Sequence, residues 1–110
     1  MRLLFICSRN QWRSPTAERV FRGRPDLEVR SAGVSDKARR RVSERDLAWA
    51  DLVLVMEKKH KRMLDQRFGR DVAREIEVLD IPDDYKAMDP ELVELLEERV
   101  AEVLARLPIL

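Results

Sequence analysis

Cysteine and histidine each occur once in these 110 residues, as Cys7 and His60, far apart in the chain. A lone cysteine excludes an internal disulfide, and the pair offers none of the Cys/His spacings that hold structural zinc, so no metal and no cofactor is expected. Only three glycines are present and the aromatic share is 5%, which excludes collagen-like and low-complexity classes. Apolar runs are short, well below the roughly 20 residues that span a bilayer, so no membrane association is expected. Charge of one sign is missing too: 22 Lys and Arg against 21 Asp and Glu give a net +1, and the whole molecule carries no argument for nucleic acid. No charged leader followed by an apolar segment precedes Cys7, and with a single thiol this makes a reducing cytoplasm the expected compartment.

What is present is an apolar fraction of 45% and a charged fraction of 39%, the balance of a globular, helix-rich chain. At this length residues 1–110 are expected to form one domain holding the whole site. The continuous run Leu3, Leu4, Phe5, Ile6 reads as a strand buried on both faces of a parallel sheet. Ser14 as N-cap and Pro15 at the first helical position then predict a helix through Ala17, Val20 and Phe21, broken at Gly23 and Pro25. Leu27, Val29 and Ser31 alternate with charged residues as an edge strand that Gly33 ends. Ser43 with Asp46 makes a capping box and Val42 with Leu47 a hydrophobic staple, predicting a short helix to about Ala50. Leu52 to Met56 is a second buried strand. A helix follows with His60, Met63, Leu64 and Phe68 on one side, stopped by Gly69. Ile76, Val78, Leu79 and Ile81 form the last strand, and a final helix, capped by Asp89 with Pro90 in its first turn, carries Leu92, Leu96, Val100, Val103, Leu104 and Leu107 until Pro108.

Strands alternating with helices predict an α/β fold, a small three-layer sandwich with a four-stranded parallel sheet and helices on both faces. Ligands in such folds sit beyond the carboxyl ends of the strands, so the loops after Ile6, Ala32, Met56 and Ile81 should share one rim. Cys7 opens that rim, and Arg13 follows after five residues. This spacing meets several needs of phosphate-ester chemistry together. Backbone N–H groups of the turn form an anion nest and the helix adds its positive end; Arg13 brings a planar fork of donors; Cys7 lies beneath the phosphorus as a sulfur nucleophile. Ser14 has two readings, as donor to that sulfur or as helix cap. Each residue also has a plainer one. Cys7 alone is a buried thiol, Arg13 alone a surface charge, Ser14-Pro15 alone a helix start. Their conjunction carries the specificity. His60, among Lys58, Lys59, Lys61 and Arg62, is expected on a solvated helix face as a structural or inert residue rather than a catalytic base.

The stretch Phe5-Ile6-Cys7-Ser8-Arg9-Asn10-Gln11-Trp12-Arg13-Ser14-Pro15-Thr16-Ala17-Glu18 resembles the signature C-x-G-N-x-C-R-S-P-x-A-E of the low-molecular-weight protein tyrosine phosphatase family. Ser31-Ala32-Gly33 is similar to that family's S-A-G, Asp51-Leu52-Val53-Leu54-Val55-Met56-Glu57 to its D-x-I-L-x-M-D strand, and Ile81-Pro82-Asp83-Asp84-Tyr85 falls where it has a D-P-Y acid loop. The resemblance implies Cys7 as the nucleophile of a phosphocysteine intermediate, Arg13 as the phosphoryl-binding residue, Asn10 as a brace of the loop, and Asp83, with Asp84 as the lesser candidate, as general acid and then base. Without it, Pro82-Asp83-Asp84 is equally good turn chemistry. Ser8, Arg9, Asn10, Gln11, Trp12, Ser14 and Tyr85 are the expected substrate-binding residues, Tyr85 as one wall; Trp12 is equally read as a packing residue. Three positions depart from the family pattern: Arg9 replaces glycine, Trp12 the second cysteine, and Asp84 the proline of the acid loop. The segment from Gly33 to Ser43 is also shorter.

The implied activity is hydrolysis of a phosphomonoester on a phosphorylated protein, phosphotyrosine first. Competing readings are a phosphoarginine phosphatase, suggested by polar Gln11, a thiol-dependent arsenate reductase, a phosphocarrier, and a non-catalytic anion-binding module arising if Arg9 distorts the loop. Lys37, Arg39, Arg40, Arg41 and Arg45 form a cationic stretch on the same rim, either a solvated face or a steering patch for polyanionic substrates.

Overall fold

The apolar run that opens the chain becomes the centre of the molecule. In the computed structural model, which describes residues 1–73 and 75–107, β1 (Arg2–Cys7) lies between β2 (Glu28–Gly33) and β3 (Leu52–Val55), and β4 (Ile76–Val78) borders β3. All pairs are parallel, with Phe5 opposite Ser31, Cys7 opposite Gly33, and Leu4 opposite Val53. Only a strand covered on both faces can be apolar at every position, and Leu3 through Ile6 are fully buried.

Alternation along the strands divides the core in two. Leu3, Phe5, Leu52 and Leu54 meet Ala17 and Phe21 of α1 (Arg13–Phe21) and Leu92, Leu96 and Val100 of α4 (Pro90–Arg106), with the Phe5 and Phe21 rings stacked at 5.7 Å. Leu4, Ile6, Val53 and Val55 meet Leu47 of α2 (Glu44–Trp49) and Leu64 of α3 (Lys58–Phe68) on the other face. Each such leucine or phenylalanine contributes about 1.5–3 kcal/mol by leaving water. The result is the expected three-layer α/β sandwich on a four-stranded parallel sheet. Among the described residues no helix is long and apolar enough to cross a membrane.

The order β2-β1-β3-β4 has a functional consequence. The chain leaves β1 toward one neighbour and later returns to its other side, so the carboxyl end of β1 is the topological switch point where such sheets open a crevice. Cys7 is the last residue of that strand.

Most local signals act as read. Ser43 and Asp46 form the capping box of α2, and Asp89 caps α4 by accepting from Glu91 N–H at 2.9 Å. The start of α1 is a correction: the helix begins at Arg13 with Trp12 at its N-cap, so Ser14 and Pro15 lie within its first turn and the Ser14 hydroxyl does not cap it. Proline is tolerated there because the first-turn N–H groups have no intrahelical partner. Met63 is also displaced from expectation. It is 41% exposed, because His60 and Leu64, four residues apart, form the buried stripe of α3. The last strand is shorter than predicted, yet Leu79 and Ile81 N–H groups still bond to Val55 and Met56 carbonyls at 2.8 Å. The predicted stop at Pro108 lies outside the described residues.

Candidate active site

A cleft of about 150 Å³ opens at the switch point, lined by Cys7, Ser8, Arg9, Gln11, Trp12 and Arg13, and across from them by Asp83. Its floor is held by a directed chain of hydrogen bonds. The Asn10 amide nitrogen can only donate, and it does so to Ser14 Oγ and Ser31 Oγ, both at 2.9 Å. Ser31 passes its own proton to Glu18 Oε1. Ser14, already accepting from Asn10, has one O–H left, and Cys7 Sγ at 2.9 Å is nearer than the Ala32 carbonyl at 3.4 Å. The chain therefore presents a hydroxyl donor to the sulfur. A sulfur held in this way at the cleft floor is placed to act as a nucleophile.

Arg13 is 2% exposed and is fixed from behind. Its Nη1 donates to Glu57 Oε2 at 2.6 Å and to the Ile81 carbonyl at 2.8 Å. Nε lies 3.6 Å from Asp83 Oδ1, and Nη2 has no partner among the described residues. The edge left for a ligand is thus a planar pair of donors beside Cys7, suited to two oxygens of one phosphoryl group. Burial raises the pKa of the Glu57 carboxyl, but the hydrogen bond and positive charge of Arg13 outweigh it and hold the carboxyl below its ordinary 4.5.

The model of the family described as low molecular weight phosphotyrosine protein phosphatase matches residues 2–48. Solved structures extend the likeness over nearly the whole chain. The YwlE arginine phosphatase of Geobacillus stearothermophilus is 27% identical with a TM-score of 0.72, over 94% of this chain and 92% of its own. The low molecular weight protein tyrosine phosphatase of T. tengcongensis is 26% identical at 0.72, over 97% and 99%. The tyrosine phosphatase Wzb of Escherichia coli K30, solved with phosphate, is 25% identical at 0.74, over 97% and 98%. No curated protein matches in sequence. The chain is similar to the low-molecular-weight phosphatase family, in sequence over residues 2–48 and in fold over nearly its whole length. It is a cysteine-based phosphatase, a hydrolase of phosphoric monoesters.

In this phosphatase the expected site residues separate into two groups. Cys7, Ser8, Arg9, Gln11, Trp12, Arg13 and Asp83 share the cleft; the Asn10 and Ser14 side chains are buried behind it, Ser14 against Cys7 and Asn10 against Ser14. Tyr85 does not wall the cleft. It is half-buried against the core on the α1 and α4 side of the sheet, and the aromatic at the opening is Trp12, 37% exposed. Asp84 is exposed and outside the cleft.

The glycine-to-arginine departure proves harmless to the loop's shape. The left-handed turn falls on Asn10, at φ 55°, a residue type that tolerates it, and Arg9 needs no positive φ. The glycine the site does need is Gly33. A Cβ there would stand 2.7 Å from the Ser8 carbonyl oxygen and 2.9 Å from Asn10 N, so the second strand can approach the loop only without a side chain.

Three residues, Glu18, Ser31 and Glu57, had no assigned role, and His60 was read only as structural or inert. Their signals were present, since Glu18 and Ser31 stand in the quoted motifs, Glu57 follows a buried strand at the start of α3, and His60 precedes Leu64 by one helical turn. His60 also corrects an expectation, being fully buried rather than solvated. Burial first, and then the positive charge of Arg13, push its pKa down to about 4, so the ring is neutral.

Proposed function

We propose that the protein dephosphorylates phosphorylated proteins through a phosphocysteine on Cys7, with phosphotyrosine as the leading substrate. Residues 1–110 act as one phosphatase domain in a reducing cytoplasm and use no cofactor. The observation that carries this reading is the convergence of the Cys7 sulfur, the unengaged donors of Arg13 and the Asp83 carboxylate on one small cleft. In the first step Cys7 Sγ attacks phosphorus, the ester P–O bond breaks, and the departing oxygen takes a proton from Asp83. In the second, Asp83 removes a proton from water, which attacks phosphorus; the P–S bond breaks, releasing inorganic phosphate and the thiolate. Arg13 and the loop N–H groups neutralise charge on the equatorial oxygens in both steps.

Phosphoarginine is the second reading, favoured by Gln11, a polar and exposed residue at the cleft wall whose amide can accept from a guanidinium. Support also comes from the neighbour whose solved structure is that of an arginine phosphatase. Turnover of an aryl phosphate, a phosphotyrosine peptide and a phosphoarginine peptide should be compared in wild type and Cys7→Ser. We expect turnover of the aryl and tyrosine substrates, a covalent phosphoenzyme in rapidly quenched wild type, and none in turnover with Cys7→Ser. A Cys7→Ser enzyme that still turns over would refute the route; preference for the phosphoarginine peptide would replace the substrate.

A further inference from the structure

His60 has no task in this chemistry, yet it is buried directly beneath the phosphate loop. Its Nδ1 lies 3.1 Å from the Glu57 backbone N–H and its Nε2 lies 2.9 Å from Ser8 Oγ. A backbone N–H can only donate, so Nδ1 must accept, and a neutral ring then carries its proton on Nε2. That proton goes to Ser8 Oγ. The hydroxyl's own hydrogen has no acceptor among the described residues, while Ser8 lines the cleft together with Cys7 and Arg13.

We propose that His60 is a positioning residue that holds the Ser8 hydroxyl with its proton turned into the cleft, making Ser8 an added donor to the phosphoryl oxygens. The inference rests on reading this cleft as the phosphoryl site. His60 is not a base in the reaction. It is fully buried, both ring nitrogens are engaged, and a second ring proton would face the Glu57 N–H donor. Arg13, Glu57, Lys59 and Asp83 are the charged groups around it, and burial with the Arg13 charge dominates. The ring therefore remains a fixed donor at neutral pH, and Ser8, which could otherwise rotate its single proton elsewhere, is left with one useful direction.

Inorganic phosphate affinity and the ¹⁵N signature of the imidazole test this without turnover. Wild type should show the Nε2–H tautomer. Ser8→Ala should weaken phosphate roughly 10- to 100-fold, as expected for a lost hydrogen bond to a charged ligand. His60→Phe should lose about as much, the double variant no more than either, and His60→Gln, whose amide offers one donor and one acceptor like the neutral ring, should recover part of it. Phosphate binding unchanged in Ser8→Ala, losses that add in the double variant, or a proton on Nδ1 would overturn the proposal. If His60→Phe fails to fold, the wild-type tautomer and Ser8→Ala decide alone. A wild-type protein that binds phosphate through Ser8 but forms no phosphocysteine would count against the proposed route and not against this positioning.

Discussion

The floor and the rim of the cleft are built on opposite principles. On the floor, Cys7, Asn10, Arg13, Ser14 and Ser31 are buried and held by hydrogen bonds that reach Glu18 and Glu57, with only the ligand-facing edge of Arg13 left open. At the rim, Arg9, Gln11, Trp12 and Asp83 are exposed and loosely held; the Asp83 carboxylate is 55% exposed with one contact at 3.6 Å. Buried polar groups need partners, so the floor is fixed in one arrangement before any ligand arrives. Exposed ones do not. The rim departs from the family pattern at Arg9 and Trp12, whereas the buried floor residues Cys7, Asn10, Arg13, Ser14 and Ser31 match it. The comparison teaches that recognition of phosphate and choice of what bears it are separable here.

The sharpest way to break that separation is at Asp83, a rim residue assigned a chemical role. A departing oxygen needs a proton in proportion to how poorly it holds charge, and tyrosine's phenol has a pKa near ~10. Asp83→Asn should slow phosphotyrosine cleavage on the order of 100- to 10,000-fold and nitrophenyl phosphate cleavage far less, measured as pre-steady-state phosphocysteine formation. Asp84→Asn, outside the cleft, should change either rate only slightly. A larger, leaving-group-dependent loss in Asp84→Asn would transfer the acid role to that residue, and no leaving-group dependence in either would remove both from it.

A smaller effect sharpens the comparison from the floor side. The His60 ring is held near pKa 4 in the fold against an ordinary 6.5, so above pH 6.5 neither the folded nor the unfolded chain protonates it. As pH falls from 6.5 toward 4, the unfolded chain takes up a proton that the folded chain refuses, and stability is lost. The full loss is roughly 3 kcal/mol. Glu57, with its pKa lowered, adds a loss of the same sign below pH 4.5. Urea unfolding of wild type at pH 7 and pH 4.5 should show most of the histidine contribution, and His60→Gln should flatten that slope. Equal slopes would mean that the floor does not exclude the proton.

The same contrast explains what could be read from the sequence. The buried strands, the capping box at Ser43, the apolar stripe of α4 and the Cys7-to-Arg13 loop were legible because each is a local pattern. Ser14 was legible in one of its two readings: its place beside the Cys7 sulfur stands, while its reading as helix cap fails because the hydroxyl answers to Asn10 and Cys7 across the fold. His60 misled for a related reason. Four flanking cations mark a solvated surface, but helical period places His60 on the face of Leu64, and only the tertiary arrangement brings it to Ser8, 52 residues away. Tyr85 was assigned by its place beside the acid loop, whereas it packs half-buried against the core. Floor partners that are distant in sequence leave no spacing to read.

The rim cations give the smallest expected effect. The stretch from Lys37 to Arg41 is not one patch, because Arg40 bonds the buried Asp46 carboxylate and the Ser31 carbonyl, and Arg41 pairs with Asp36. Lys37 and Arg39 are exposed and carry no ion pair to a described residue, and the Arg39 backbone N–H bonds the Arg9 carbonyl at 2.9 Å, tying this loop to the cleft wall. Steering, if it operates, therefore belongs to Lys37 and Arg39 together with Arg9. Lys37→Ser with Arg39→Ser should raise KM for an acidic phosphopeptide by about 2- to 5-fold at low salt and leave a small aryl phosphate unaffected, the gap closing at high salt. Arg40→Ser should instead lower stability, because it weakens the pairing of a buried carboxylate. Equal KM shifts for peptide and aryl phosphate would make Lys37 and Arg39 an ordinary solvated surface.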